Sequence, residues 1–284
     1  MEIIRTVSNL ISRVNSARQS GKTIGLVPTM GALHDGHLSL VNRARNENDI
    51  LIVSVFVNPT QFNNPSDLET YPRTEEADVA MLRNANVDIA FIPSVSEIYP
   101  EPDTLIFDLG PVADVMEGKM RPGHFNGVAQ IVSKLFRMTQ PNRAYFGEKD
   151  FQQIAVIRKL VELENFDIDI VDCPICRDSN GLALSSRNAR LSPEKIAIAP
   201  QIYKTLLQAV TKSYSETVAS VVQFVTQTLN QVQYLDVEYF TIVDSATLQP
   251  ISEWPKEGNP QAIGCIAVFC GDVRLIDNIK FPLK

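Results

Sequence analysis

The sequence predicts an α/β fold, with a doubly wound parallel sheet followed by a smaller α+β domain. Up to Val171, short β-branched runs alternate with segments whose apolar residues recur at helical spacing. Turns rich in glycine and proline separate these segments. This alternation is typical of parallel strands joined by right-handed helical crossovers. The chain has 284 residues, of which 44% are hydrophobic, so it is long enough for one large domain or two ordinary ones with a sizeable core.

The first predicted helix is capped by Thr6 and ends at Gly21, with an apolar stripe between them. The run from Ile50 to Val57 is apolar almost throughout, which predicts a central strand that is covered on both faces. The other strands predicted in this part are 23–27, 87–93, 105–109, 143–146 and 166–171. Four further helices are predicted in this part. The first follows the second strand and ends near Asn46, the second begins after a capping Thr74, and the other two occupy 127–138 and 151–161.

A glycine-rich stretch from Gly118 to Gly127 separates two of these elements. It places Arg121 and His124 beside glycines. We therefore expect a flexible loop that covers an anionic ligand.

The composition changes near 176–180, where we place a boundary between domains 1–176 and 177–284. The second domain is predicted to be helical from Ser192 to about Leu229, with a break at 213–217. Strand-like runs follow at 235–243, 262–269 and 273–276. These elements predict a smaller α+β unit.

The formal net charge is −7, and the sequence contains no basic run. This balance argues against nucleic acid or an anionic membrane as a partner. No apolar stretch is as long as a membrane span, and the start Met-Glu-Ile-Ile-Arg does not resemble a signal peptide. We therefore expect a cytoplasmic protein.

The four cysteines are Cys173, Cys176, Cys265 and Cys270. The first two have the Cys-x-x-Cys spacing of redox or zinc sites, but no second such pair exists and the histidines are distant in sequence. Packed free thiols are the favoured interpretation, with a redox or zinc site as the alternative.

The stretch Val27–Leu38 lies where a predicted strand ends and a helix begins, and it carries His34 and His37. Open α/β sheets bind ligands at this edge, and free N–H groups at a helix N-terminus attract phosphate. Gly36 lets a phosphate approach without a Cβ in the way, and the imidazoles add donors. The pattern indicates a phosphate site. The alternative is a turn with two surface histidines.

A second turn from a strand to a helix carries Gly147-Glu148-Lys149-Asp150. Lys149 can place a positive charge on a phosphate, and Asp150 can cap the next helix or accept a hydrogen bond from a ribose hydroxyl. Gln153, in the first turn of that helix, points to the same edge of the sheet.

The polar loop 58–65 follows the predicted central strand and carries Gln61, a neutral side chain that both donates and accepts hydrogen bonds. Its alternative interpretation is an ordinary loop amide. Asp78 lies one turn beyond Thr74. It is either a carboxylate that helps to hold Mg²⁺ through water or a helix-surface carboxylate.

Six separate stretches, in order and across both predicted domains, resemble the pantoate–β-alanine ligase family. The His-x-Gly-His turn alone is similar to the HIGH motif of nucleotidyltransferases and aminoacyl-tRNA synthetases, whose sheets are Rossmann-like. The six stretches are Pro28–His37, Phe56–Phe62, Tyr71–Thr74, Arg121–Phe125, Gly147–Gln153 and Leu184–Asn188.

The resemblance implies a ligase that joins pantoate to β-alanine with ATP and Mg²⁺, through a pantoyl adenylate, and releases AMP and pyrophosphate. It implies catalytic roles for His34, His37, Lys149 and Arg187. The residues that it implies for ATP are Met30, Gly31, Ala32, Leu33, His34, Asp35, Gly36, His37, Gly147, Glu148, Lys149, Asp150, Cys176, Leu184, Ser185, Ser186 and Arg187. Those that it implies for the other substrates are Asn58, Gln61, Tyr71, Arg121, His124 and Gln153. Asp78 would be the metal-linked carboxylate, and a homodimer is expected because the family is usually dimeric.

The stretch Ser185-Ser186-Arg187 would clamp the triphosphate from the second domain, like the KMSKS loop of the superfamily. Leu184 stands where that loop often has methionine. This departure changes packing against adenine and leaves the catalytic roles intact.

Two other functions share part of this pattern. A plain nucleotidyltransferase would keep AMP on its product, and it does not predict the pair Gln61 and Gln153. A module that senses nucleotides without turnover gives no reason for Lys149 and Arg187 to accompany both histidines. Release of AMP only when an amine is supplied would identify the ligase.

Overall fold

A six-stranded, all-parallel sheet forms the first part of the computed structural model, which describes residues 1–283. The strands are β1 (Glu2–Ile4), β2 (Ile24–Thr29), β3 (Ile50–Val55), β4 (Ile89–Phe91), β5 (Arg143–Gly147) and β6 (Asp169–Cys173). Their order across the sheet is β1-β4-β3-β2-β5-β6. The predicted parallel sheet is confirmed.

The strand order reverses at β2, which pairs with β3 on one side and with β5 on the other. The chain builds the sheet outward from β2 to β3 and β4, and then returns to add β5 and β6 on the other side. The carboxyl ends of β2 and β5 therefore border the crevice in which open α/β sheets bind ligands.

Eight helices accompany this sheet within the described residues. They are α1 (Val7–Gln19), α2 (Asp35–Glu47), α3 (Pro65–Glu69), α4 (Glu75–Asn84), α5 (Val95–Ile98), α6 (Met116–Met120), α7 (His124–Thr139) and α8 (Phe151–Glu164). Alternate residues of β2 face opposite layers, because Leu26 packs with α1, α7 and α8 while Val27 packs with α2 and α4. Helices on both faces explain why β3 is apolar at every position except Ser54.

A three-stranded antiparallel sheet and three helices make up the C-terminal part. The helices are α9 (Pro193–Ile198), α10 (Gln201–Ser213) and α11 (Val218–Asn230), and the strands β7 (Leu235–Asp244), β8 (Ala262–Cys270) and β9 (Val273–Lys280) follow in that order across the sheet. A separate hydrophobic cluster fills the space between these helices and strands. The predicted α+β character, the helical break and the three strands are confirmed.

Two predictions about local structure are wrong, and one strand was not predicted. Residues 105–109 are not a strand, because the Leu105 carbonyl accepts from Asn126 and Gln130 side chains, which replace a neighbouring strand. Gly118–Gly127 is not a flexible loop, since α6 and α7 occupy most of it. Sequence reasoning also missed β1, which pairs with β4 at the sheet edge and is only three residues long.

All four cysteines are free thiols, and Cys173, Cys265 and Cys270 are buried. In residues 1–283 no cluster of three or more histidine, cysteine, aspartate or glutamate side chains is arranged to hold a metal ion. The burial of Cys173, Cys265 and Cys270 agrees with the favoured interpretation of packed thiols for these three residues. Within the same residues, no helix is both long enough and apolar enough to cross a membrane.

Candidate active site

A tight turn follows β2, and Asp78 on α4 holds its backbone. The Asp78 carboxylate accepts hydrogen bonds from the N–H groups of Ala32 at 3.0 Å and Leu33 at 2.8 Å. The Thr74 hydroxyl donates to the same carboxylate at 3.1 Å. Asp78 is only 1% exposed, so the expectation of a helix-surface carboxylate is wrong. A Cβ at Gly31, whose φ is +78°, would lie 2.9 Å from Asp78 Oδ2, so this turn requires glycine there.

His34 and His37 form a capping box at the N-terminus of α2. The Nδ1 atom of His34 accepts from the Gly36 N–H at 3.1 Å, and Nδ1 of His37 accepts from the His34 N–H at 3.3 Å. Since both Nδ1 atoms accept, each neutral ring carries its proton on Nε2. The three-residue spacing of the motif is thus the spacing of a capping box.

The electrostatic surroundings keep both imidazoles neutral. Burial, helped by the positive charge of Lys149, lowers the pKa of His34 to about 4. Burial also lowers the pKa of His37 to about 3, with further contributions from His34 and Lys149. The ring centroids are 4.1 Å apart, so protonation of one ring disfavours protonation of the other. Both side chains are half-buried and line one cleft, which disfavours the interpretation as a turn with two surface histidines.

Lys149 reaches the same crevice from the turn after β5. Its ammonium lies 3.4 Å from Asp150 Oδ2, and its side chain is 16% exposed. Asp150 occupies the N-cap position of α8, but its side chain makes no capping hydrogen bond. The structure therefore does not support the interpretation of Asp150 as a helix cap, and the contact with a ribose hydroxyl stays a prediction.

Asn58 and Gln61 form a buried amide pair beyond the carboxyl end of β3. Asn58 Nδ2 donates to Gln61 Oε1 at 3.2 Å and to the Gly127 carbonyl at 3.0 Å. Gln61 Nε2 lies 3.0 Å from Met30 Sδ. Asn58 is 1% and Gln61 8% exposed, so Gln61 is not an ordinary loop amide.

His124 contacts the backbone of Gln61, and Arg121 contacts His124. His124 Nδ1 is 2.9 Å from the Gln61 carbonyl oxygen, and Nε2 is 3.1 Å from Arg121 Nη1. The contact with a carbonyl requires a proton on Nδ1, so Nε2 accepts from Arg121. Burial, together with the charge on Arg121, lowers the pKa of His124 to about 4. Both residues line a smaller adjoining cavity, which also touches Lys149 and Asp150.

Arg187 enters the crevice from a 3₁₀ turn, Ser186–Arg190, of the C-terminal part. The Ser186 hydroxyl donates to the Ala32 carbonyl at 3.0 Å, which ties this turn to the one after β2. Arg187 Nη2 lies 2.7 Å from Asp67 Oδ2, and Arg190 Nη1 lies 3.0 Å from Asp67 Oδ1. Asp67 was missed by sequence reasoning, because nothing in its loop sequence indicates a distant arginine partner.

These groups surround one cleft, open to solvent, at the switch point of the sheet. An apolar wall, which sequence reasoning also missed, is formed by Phe56 and the α7 residues Val128, Ile131, Val132 and Leu135. The predicted site residues that line the cleft are Met30, His34, Gly36, His37, Asn58, Gln61, Tyr71, Gly147, Lys149, Asp150, Gln153, Cys176, Leu184, Ser185, Ser186 and Arg187. The predicted residues Gly31, Ala32, Leu33, Asp35, Asp78 and Glu148 do not line it, and several of them hold the turns that do.

The cleft combines two chemical environments. The lining includes Lys149, Arg187 and the imidazoles of His34 and His37, a set of donors suited to a polyanion. It also includes neutral amides and an apolar wall, which suit a small molecule with both polar and aliphatic groups.

The family model and the relatives with similar sequences agree on one family. Residues 2–280 match the family model described as pantoate-beta-alanine ligase. The chain is 60% identical over 281 residues to a pantothenate synthetase of Porphyromonas gingivalis strain W83, covering 99% of both chains. It is 54% identical over 281 residues to a pantothenate synthetase of Bacteroides fragilis strain YCH46, again covering 99% of both.

Solved structures agree with this family. The crystal structure of pantothenate synthetase from Thermus thermophilus superposes with a TM-score of 0.92 and 42% identity, covering 99% of this chain and 100% of that one. The pantoate-beta-alanine ligase from Francisella tularensis, described as complexed with beta-gamma ATP and beta-alanine, gives a TM-score of 0.83 and 39% identity. That match covers 99% of this chain and 97% of the other.

Proposed function

The chain belongs to the pantoate–β-alanine ligase family, and we propose that its cleft binds ATP and pantoate side by side for the ligase reaction. The enzyme joins pantoate to β-alanine to form pantothenate, with ATP as co-substrate. The observation that supports this placement is the convergence of Lys149, Arg187 and two Nε2–H donors on a cleft that also holds the Asn58–Gln61 pair.

The first step is attack by the pantoate carboxylate on the α-phosphorus of ATP. It forms pantoyl adenylate, a mixed anhydride, and pyrophosphate leaves. The protein must hold the attacking and leaving oxygens in line and stabilise the charge that grows on the phosphates. We assign this task to His34, His37, Lys149 and Arg187, and removal of one such donor is expected to cost about 10²–10³ in rate.

The second step is attack by the β-alanine amine on the acyl carbon of the adenylate, with AMP as leaving group. No covalent intermediate with the protein is needed, so the site requires no nucleophilic serine or cysteine.

Gln61 and Gln153 are assigned to pantoate. An arginine would pair with the pantoate carboxylate and blunt its nucleophilicity, whereas neutral amides orient it at less cost. Tyr71 borders the same region, and the aliphatic wall of α7 suits the methyl groups of pantoate. Arg121 and His124 contribute by holding the Gln61 backbone.

The remaining residues of the cleft are assigned to the nucleotide. Residues 30–37 and 147–150 surround the phosphates and ribose, and Ser185–Arg187 clamp the triphosphate. The Leu184 N–H donates to the Cys176 carbonyl at 2.9 Å, which keeps both residues at the edge of the cleft where adenine would lie.

Mg²⁺ would neutralise the charge of the phosphates when bound with ATP. Asp78 does not fit as its direct ligand, because its carboxylate is buried and already accepts from two backbone N–H groups and Thr74. Mg²⁺ ordinarily keeps several waters and binds substrate phosphates with few carboxylates. We therefore revise the role of Asp78 from metal-linked carboxylate to support of the phosphate turn.

The expectations of a cytoplasmic homodimer with two domains, 1–176 and 177–284, are kept as proposals. Separate hydrophobic clusters in the two parts support the boundary. The exposed apolar residues Leu105 and Ile106, at 49% and 82% exposure, support a contact with a second copy near that segment.

The decisive experiment measures pyrophosphate release with ATP, Mg²⁺ and pantoate, with and without β-alanine. We expect a stoichiometric burst with pantoate alone, and steady turnover with AMP release once β-alanine is added. Release of AMP without an amine, or no release at all under either condition, would contradict the proposal.

A further inference from the structure

One face of β9 contacts the nucleotide-binding part of the molecule. Successive residues of a strand point to opposite sides. Val273 and Leu275 pack in the C-terminal core, whereas Arg274, Asn278 and Lys280 reach across to the first part of the chain. The C-terminal sheet is thus in direct polar contact with the elements that carry the cleft.

Asn278 makes the most specific of these contacts. Its Nδ2 donates to the carbonyl oxygen of Glu148 at 2.7 Å and to that of Lys149 at 3.1 Å. The residue is only 5% exposed, so water does not readily replace these bonds. One amide group therefore holds two consecutive peptide units of the turn that carries Lys149.

The surroundings of Asn278 fix the amide in turn. The Asn278 N–H donates to Asp277 Oδ1 at 2.8 Å, and the Asp277 carboxylate pairs with both terminal nitrogens of Arg177 at 2.6 and 2.8 Å. The Lys280 ammonium lies 2.9 Å from Glu148 Oε1 and contacts the same turn. The position of β9 therefore helps to fix the position of the turn 148–150.

We propose that Asn278 is a positioning residue for the adenylation step, because its amide sets the turn from which Lys149 reaches the phosphates of ATP. Asn278 does not line the main cleft, although it lines the smaller adjoining cavity, and its amide contacts the turn through the carbonyl oxygens of Glu148 and Lys149. The inference rests on the proposed role of Lys149.

The isosteric variant Asn278→Asp isolates the amide, since a carboxylate cannot donate to either carbonyl. Without these bonds the turn relaxes, and a displacement of about 1 Å at a catalytic group can cost on the order of 10² in rate. We expect kcat for adenylate formation to fall between about tenfold and a hundredfold. For Asn278→Ala, which adds no charge, we expect a fall in kcat of the same size.

The matched control is Gln261→Glu. The Gln261 side-chain amide donates to the Phe281 carbonyl at 3.0 Å, a bond of the same kind within the C-terminal part alone. This variant should keep kcat within about twofold of the unchanged enzyme, while its thermal midpoint falls by an amount similar to that of the Asn278 variants.

A double-mutant cycle separates positioning from general destabilisation. Single-turnover pyrophosphate release is measured for Asn278→Ala and Asn278→Asp in the natural background and in a Lys149→Ala background, below the thermal midpoint of each variant. If Asn278 acts through Lys149, its substitution should cost at least tenfold in the natural background and less than about threefold once Lys149 is absent.

An equal loss in both backgrounds, or kcat within twofold of the unchanged enzyme for a folded Asn278→Ala protein, would overturn the inference. Absence of pyrophosphate release by the unchanged enzyme with pantoate would overturn the proposed function, and this inference with it.

Discussion

His34 and His37 show how single residues create the site. Each ring uses Nδ1 to cap the first turn of α2, so each must present Nε2–H to the cleft. The sequence predicted the position of both imidazoles from the strand-to-helix turn, and it predicted their chemistry as donors. The tautomer could not be predicted, because it depends on hydrogen bonds that only the folded turn supplies.

The buried histidines make stability depend on pH. In the folded chain burial holds the pKa of His37 at about 3 and that of His124 at about 4, against an ordinary value of 6.5. Between about pH 6.5 and 4 the unfolded chain therefore binds more protons, and the free energy of unfolding falls as pH falls. Each residue contributes at most about 1.4 kcal/mol per pH unit. Urea unfolding at pH 7 and pH 5.5 should show this loss.

The control for this pH effect is His124→Asn, which removes one of the three histidines whose pKa values burial lowers. The variant should lose roughly half of the pH dependence expected from His37 and His124 together. An identical dependence in the variant and the unchanged protein would contradict the assignment.

Gly127 allows α7 to approach the turn that carries Gln61. A Cβ at this position would lie 2.3 Å from the Thr60 carbonyl oxygen and 2.6 Å from Gln61 Cα, and both are backbone atoms that cannot rotate away. Gly127→Ala should displace Gln61 and raise KM for pantoate by about tenfold, with KM for ATP little changed, because a misplaced binding group costs affinity.

Steady-state kinetics with each substrate varied in turn test the role of Gly127. Ser133→Ala on the same helix is the control, since the Ser133 hydroxyl donates only to the Gln130 carbonyl, one helical turn away. An equal rise in both KM values for Gly127→Ala would indicate general damage and contradict the local effect.

At the scale of elements, α3 and the turn Ser186–Arg190 meet through one carboxylate. Asp67 pairs with Arg187 and Arg190 in the structure. Although burial favours its protonated form, Arg187 and Arg190 hold the pKa of Asp67 below its ordinary value, so it is ionised at neutral pH. A triphosphate that recruits Arg187 must therefore compete with Asp67.

Asp67→Asn should lower KM for ATP by about threefold, because a neutral amide holds the guanidinium less strongly than a carboxylate does. Asp103→Asn is the matched control: its carboxylate pairs with Lys134 at 2.9 Å in a pocket that shares no lining residue with the cleft, and it should leave KM for ATP unchanged. A higher KM in Asp67→Asn would mean that Asp67 positions Arg187 for ATP.

The elements that the sequence predicted well are those whose own residues determine them. The long apolar strand β3 and the amphipathic helices carry their periodicity in the sequence. The errors lie in segments whose secondary structure is determined by residues elsewhere in the chain. Residues 105–109 resemble a strand but are bound by side chains of α7, and Glu2–Ile4 becomes a strand only because β4 lies beside it.

At the scale of the whole molecule, the sequence predicted the parallel sheet and the location of the site at its carboxyl edge. It did not predict how the two parts contact each other. Glu117 on α6 is 7% exposed and accepts from Arg274 at 2.8 and 2.6 Å, and from the Tyr239 hydroxyl at 2.8 Å. These partners lie more than a hundred residues away in sequence, with no local pattern to reveal them.

Glu117 therefore couples the C-terminal sheet to the rest of the chain. Its pKa is held at about 2: burial alone would raise it, but Arg274 and its other partners outweigh that effect. Glu117→Ala leaves Arg274 without this partner at a buried contact, so we expect a loss of about 3 kcal/mol in the free energy of unfolding. The two parts should then unfold less cooperatively.

The single tryptophan, Trp254, provides the measurement, because it packs against the C-terminal core and reports on that part alone. In the unchanged protein, urea unfolding followed by tryptophan fluorescence and by far-ultraviolet circular dichroism should give coincident transitions. In Glu117→Ala the two transitions should separate. If they coincide in the variant as well, the apolar cluster that joins Met116 to Val243 and Ile263 is enough to couple the two parts, and Glu117 is not required for it.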